Sequence, residues 1–77
     1  MNPQEALEAA IMATDNGRGN ANKLAKLLGI SAEAIYQWVR RGYCSDKRVL
    51  DLERLSGVSR YLLRPDRYGD DPNERNG

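Results

Sequence analysis

Two amphipathic stretches meet at residues 29–31 with almost no chain between them. Upstream, "NKLAKLLG" puts Leu24, Ala25 and Leu28 at the three- and four-residue spacing of one helix face. Gly29 follows where a left-handed residue closes a helix. Ser31, two positions on, is a capping residue in front of "AEAIYQWVRR". There Ala34, Ile35 and Trp38 fall on one side and Glu33, Tyr36 and Gln37 on the other. A helix stop so close to a helix start predicts a steep crossing of two short helices around a tight, glycine-containing turn, which is a helix-turn-helix. Ala25 is small enough to allow the close crossing. Ile30 is expected to bury after the turn, with Ile35 and Trp38 pointing back into the core.

The rest of the chain also reads as helix. Asn2-Pro3-Gln4-Glu5 is a helix start, with Asn2 as cap, Pro3 in the first position and Glu5 in the capping-box position. Leu7, Ala10, Ile11 and Thr14 supply its face, and the glycines and asparagines of "DNGRGN" end it. Asn20 is the expected cap of the second helix. Ser45 is the expected cap of a fourth, with Val49, Leu52 and Leu55 as its apolar face and Leu50 widening it. Gly57 ends that helix, and a short turn follows from Ser59 until Pro65 discourages continuation. No stretch alternates as a strand and no repeat is visible. The expectation is an all-α domain over residues 1–68, with helices about 3–14, 21–28, 32–41 and 46–56 and a short one at 60–64. Residues 69–77 are polar, with glycine and proline, and read as a flexible tail.

A chain of 77 residues suits one small domain with a modest core. It has no histidine and one cysteine, Cys44. A zinc finger and Ser-His or Cys-His catalysis therefore lack their residues, and no internal disulfide can form. A domain this small also has little room for a concave catalytic site, so the expectation is a non-enzyme with no cofactor and no metal. A lone cysteine fits a reducing cytoplasm. No long apolar run suggests a membrane span and no leading basic-then-apolar block suggests a secretory signal.

Net charge is only +1, but it is unevenly spread. Glu5, Glu8 and Asp15 make residues 1–15 acidic. Residues 16–50 hold Arg18, Lys23, Lys26, Arg40, Arg41, Lys47 and Arg48 against Glu33 and Asp46, and residues 51–77 are again slightly acidic. On charge alone, a phosphate-binding face and an ordinary solvated basic face fit equally. The helix-turn-helix lies inside this basic block, which favours double-stranded DNA as the partner over an inert helical hairpin, with helix 32–41 in the major groove. Its outward residues Ala32, Glu33, Tyr36 and Gln37 are the base-reading candidates. Gln37 can bond an adenine edge in two places, Ala32 and Tyr36 can meet a thymine methyl, and Glu33 can accept from a cytosine amino group. Arg40 and Arg41 lie toward the end that leaves the groove and suit phosphate. Asn20, Asn22 and Lys23 open the second helix, where amide hydrogens collect and phosphate binds naturally. Tyr43, Ser45 and Lys47 offer a second backbone clamp, and Arg18 is a weaker candidate. Cys44, near an expected helix start, reads as an inert thiol sooner than a redox switch.

The stretch "NANKLAKLLGISAEAIYQWVRRG" resembles the helix-turn-helix of Cro-type phage repressors and of the related YdaS-type regulators, which are classed as antitoxin-like. Downstream, "LDLERLSGVSRYLLRPDRYG" is similar to the YdaS-type ending, where a helix with a Glu-Arg pair leads to Arg-hydrophobe-Leu-Arg-Pro-Asp and a tyrosine. The resemblance spans roughly residues 5–69, and the downstream signature is its more specific part. It implies a small all-helical domain of the lambda-repressor-like type, acting as a phage or prophage transcriptional repressor. Such repressors commonly bind palindromic operators as homodimers; a monomer in solution that pairs only on DNA is the alternative for this chain. An antitoxin-like module with a protein partner is the alternative. Two departures stand out: the second position of the recognition helix is Ala32 where glutamine is frequent, and the connector "YCSD" lacks a frequent proline. Tyr61, Leu62, Leu63 and Tyr68 are possible dimer contacts; they serve equally well as cover for the core of their own chain.

Overall fold

The computed structural model of the chain describes residues 2–15, 17 and 21–69. Six helices and no strand occur among them: α1 (Pro3–Thr14), α2 (Ala21–Leu28), α3 (Ala32–Arg41), α4 (Val49–Ser56), α5 (Arg60–Leu63) and α6 (Pro65–Tyr68). The expected capping box closes α1: Asn2 Oδ1 accepts from Glu5 N at 2.8 Å, and Asn2 N donates to Glu5 Oε1 at 3.3 Å. Its buried face is Ala6, Leu7, Ala10 and Ile11. Thr14 is only half-buried and turns its hydroxyl onto the Ile11 carbonyl at 2.9 Å. Asn20 and Arg18 lie outside the described residues.

The α2–α3 junction forms by local chemistry alone. Gly29 takes φ +73, Ile30 N donates to Ala25 O at 3.0 Å and Gly29 N donates to Lys26 O at 3.3 Å. This paired closure satisfies the last carbonyls of α2 and reverses the chain in a single left-handed residue. Ser31 Oγ then accepts from Ala34 N at 3.3 Å and starts α3. Ile35 and Trp38 enter the core, while Ile30, Ala32 and Val39 pack at its edge. Gly42, at φ +94, ends α3, with its N–H and that of Tyr43 both donated to the Trp38 carbonyl.

Three expectations fail beyond this point. The fourth helix begins at Val49, not 46, and Ser45 is not its cap. Ser45 instead organises a turn, accepting from Lys47 N on Oγ at 3.3 Å and from Arg48 N on its carbonyl at 3.0 Å. Leu50 and Leu55 are solvent-facing; an eight-residue helix turns one narrow stripe inward, and Val49 and Leu52 fill it. Pro65 does not end the helical structure but opens α6, since its missing N–H costs nothing at a first helical position.

α1 is the central element, packing against α2, α3, α4 and α5. Leu7, Leu24, Ile35, Cys44, Val49, Leu52 and Leu63 are fully buried, so every helix from α1 to α5 and the α3–α4 connector feed one core. Among the described residues no helix is long and apolar enough to cross a membrane.

Candidate nucleic-acid interface

With Ile35 and Trp38 fixed inward, helical geometry leaves Glu33, Tyr36, Gln37 and Arg40 at i, i+3, i+4 and i+7 on the opposite side, all exposed. This is a polar stripe on a helix whose back is anchored. Ala32 departs from the expectation: it is half-buried at the core's edge, which reduces it to the margin of the stripe. Tyr36 faces two ways. It is exposed, yet it lines a cavity of about 320 Å³ with Glu8, Ile11, Met12, Ala21 and Val39. Arg40 is not simply a free cation at the far end of the helix. Its Nη2 donates to Glu33 Oε1 at 3.3 Å, across the turn that carries Tyr36 and Gln37.

Asn22 and Lys23 are exposed in the first turn of α2. After α3, Arg41 folds back so that Nε donates to the Tyr43 carbonyl at 3.2 Å, with its guanidinium 4.6 Å from the ring centre. Tyr43 and Lys47 are exposed, and Ser45 is half-buried with its hydroxyl committed to the local turn.

Residue spacing leaves unassigned the arginines of the C-terminal half, two of which, Arg64 and Arg67, reach the α3–α4 connector. Arg54 pairs with Asp51 at 2.8 Å, Arg60 with Glu53 at 2.9 Å, Arg64 with Asp66 at 2.8 Å and Arg67 with Asp46 at 2.9 Å. Glu53 also accepts from the backbone N–H of Arg60, and these Arg60 bonds hold its carboxyl below the usual glutamate range. Arg64 does the same for Asp66. Arg54, Arg60, Arg64 and Arg67 are thus each paired with a carboxylate, and one of those, Asp46, belongs to the basic block. Lys23, Lys26, Lys47 and Arg48 have no ion pair among the described residues. These four cations of the basic block are therefore not neutralised by a carboxylate among the described residues. The signal for the supporting arginines is present in "RYLLRPDRYG", but spacing alone assigns it no role.

Of the proposed dimer contacts, Leu63 is fully buried in its own chain and is not available to a partner in the folded monomer. Leu62 and Tyr68 pack against the core, and Tyr61 meets Tyr68 edge-on at 6.4 Å. Cys44 is buried, and the loss of solvent around it pushes its thiol up to about 11, against the opposing pull of Arg64 and Arg41. This is the reverse of the lowered value that a helix start would give.

No curated protein and no solved structure gives a significant match to the chain. The sequence model described as bacterial toxin YdaS matches residues 11–72, which takes in the helix-turn-helix, the connector and the arginine-rich ending. The chain belongs to the bacterial toxin YdaS family.

Proposed function

We propose that this chain is a sequence-specific DNA-binding transcriptional repressor of Cro type that carries α3 into the major groove of a palindromic operator. The observation that carries the reading is the α2–α3 junction with its polar stripe. A tightly closed turn at Gly29 and a buried Ile35 and Trp38 present Glu33, Tyr36, Gln37 and Arg40 outward on a rigid helix. Gln37 is the central reader, able to take an adenine edge in two places, with Tyr36 and Glu33 beside it. Asn22, Lys23, Arg41, Tyr43 and Lys47 contact the backbone on either side, and the positive charge of the basic block supplies affinity. The chain works in the cytoplasm of a bacterial host, on phage or prophage DNA. A homodimer is formed through Tyr61, Leu62 and Tyr68, or only on the operator. Selection from random duplexes tests the reading: an enriched palindrome with half-sites about one helical turn (~34 Å) apart supports it, and no enrichment contradicts it.

A second reading is favoured by two observations. The family's description names a toxin, and an apolar-lined cavity opens beside Tyr36. On this reading the chain is a toxin- or antitoxin-like module whose main partner is a protein. Stoichiometric capture of one protein, with no selective DNA binding at low salt, is its signature.

A further inference from the structure

We propose that Arg64 is a positioning residue for the DNA-backbone clamp, holding the connector 43–48 in place from twenty residues downstream. The inference rests on the DNA-binding reading above. The connector is fixed in part from within, by Arg41 Nε on the Tyr43 carbonyl and by the buried Cys44 side chain. At its start Tyr43 N donates to Trp38 O, and near its end the Ser45 turn closes. Arg48, the residue before α4, gives no side-chain cap. The middle of the connector is also held from outside.

Arg64 is 7% exposed and uses both edges of its guanidinium. Nε and Nη2 donate to the two oxygens of Asp66 at 3.0 and 2.8 Å. Nη1 donates to the Cys44 carbonyl at 2.8 Å in a buried setting. The guanidinium carbon also lies 4.8 Å from the centre of the Tyr43 ring, which Arg41 approaches at 4.6 Å. Arg67 adds a second tie, to Asp46 at 2.9 Å. A cation this buried is costly unless every side is matched. The planar fork of arginine matches a carboxylate on one edge and a backbone carbonyl on the other, which a lysine cannot do. The atoms so held belong to the segment that exposes Tyr43 and Lys47. The Arg67 tie also covers the carboxylate beside Lys47.

The test is a double-mutant cycle on the full chain. Parent, K47Q, R64K and R64K/K47Q are titrated on a random-sequence duplex across a salt series, with circular dichroism as the check on folding. K47Q is expected to reduce the salt slope by about one. Folded R64K is expected to bind about 3- to 10-fold more weakly on every sequence, and K47Q to cost less in the R64K background than in the parent. Amide exchange is expected to quicken at 43–48 in R64K while 32–40 stays protected. Folded R64K with parent affinity, or a K47Q cost equal in both backgrounds, overturns the proposal. If R64K does not fold, D66N takes its place, since it removes the carboxylate that orients Arg64 toward the Cys44 carbonyl; its readouts are amide exchange at 43–48 and the K47Q cost, and unchanged exchange with an equal K47Q cost in both backgrounds overturns the proposal. A parent that binds no duplex at low salt overturns the DNA reading and this inference with it; a parent that binds while the cycle is additive overturns this inference alone.

Discussion

Glu33 and Arg40 meet across two turns of α3, with Arg40 Nη2 3.3 Å from Glu33 Oε1 and both side chains more than half exposed. An exposed pair of this kind adds little to stability, at most about 1 kcal/mol. Its consequence is for binding. A DNA phosphate that takes Arg40 must displace an internal carboxylate and accept that carboxylate nearby, which penalises non-specific contact more than a site where Glu33 finds a donor. Glu33→Gln is therefore expected to leave thermal stability nearly unchanged, to tighten binding to random DNA several-fold at low salt, and to change the preferred base at one C·G position per half-site. Titrations on random and selected duplexes check this. Unchanged affinity and unchanged preference would make Glu33 a tolerated surface residue.

Gly29 gives a test of the turn itself. A Cβ added there would meet nothing within 4 Å, so the cost of a substitution is the left-handed backbone alone. Gly29→Ala is expected to destabilise the chain by about 1–2 kcal/mol in urea unfolding, and Gly29→Asn by less, because asparagine tolerates that conformation.

These two sites mark what the sequence makes legible. Caps and closing glycines act over three or four residues, so Asn2, Glu5, Gly29, Ser31 and Gly42 announce three helices and the outward stripe of α3. The start of α4 is not local. Ser45 has the chemistry of a helix cap, but it sits in a connector held by Arg64 and Arg67, and its hydroxyl serves a turn. Arg64 itself reads as a surface residue from composition; only the approach of Cys44 O and Tyr43 explains its burial. Arg40 reads as a phosphate contact from its place in the last turn of α3, and only the folded geometry adds that Glu33 lies within reach of it.

Acid should loosen the C-terminal support. Arg60 holds Glu53 below its ordinary 4.5, chiefly by side-chain hydrogen bonding, and Arg64 holds Asp66 below its ordinary 3.8. Folded values below unfolded ones mean stability that is present above the ordinary values and is lost as pH falls through the folded ones. The melting temperature should hold steady down to those ordinary values and fall beneath them, and Glu53→Gln should flatten part of that fall.

Cys44 should be silent in the native chain. With its thiol raised from 9.0 to about 11 and no open surface around it, it should resist iodoacetamide at neutral pH and react once the chain is unfolded. The same shift removes stability as pH rises from 9.0 toward 11, because the unfolded thiol ionises first, and Cys44→Ala should reduce that alkaline loss. Rapid alkylation without unfolding would contradict the burial.

If the outward face of α3 reads base pairs, Gln37 is the residue whose loss shows it, and Gln37→Ala is the variant to make. Parent and variant are titrated on the duplex selected by the parent and on a scrambled duplex of the same length and composition. A loss of roughly 1–3 kcal/mol is expected on the selected duplex, with little change on the scrambled one. Equal affinity of the variant and the parent for the selected duplex would contradict base reading by this face.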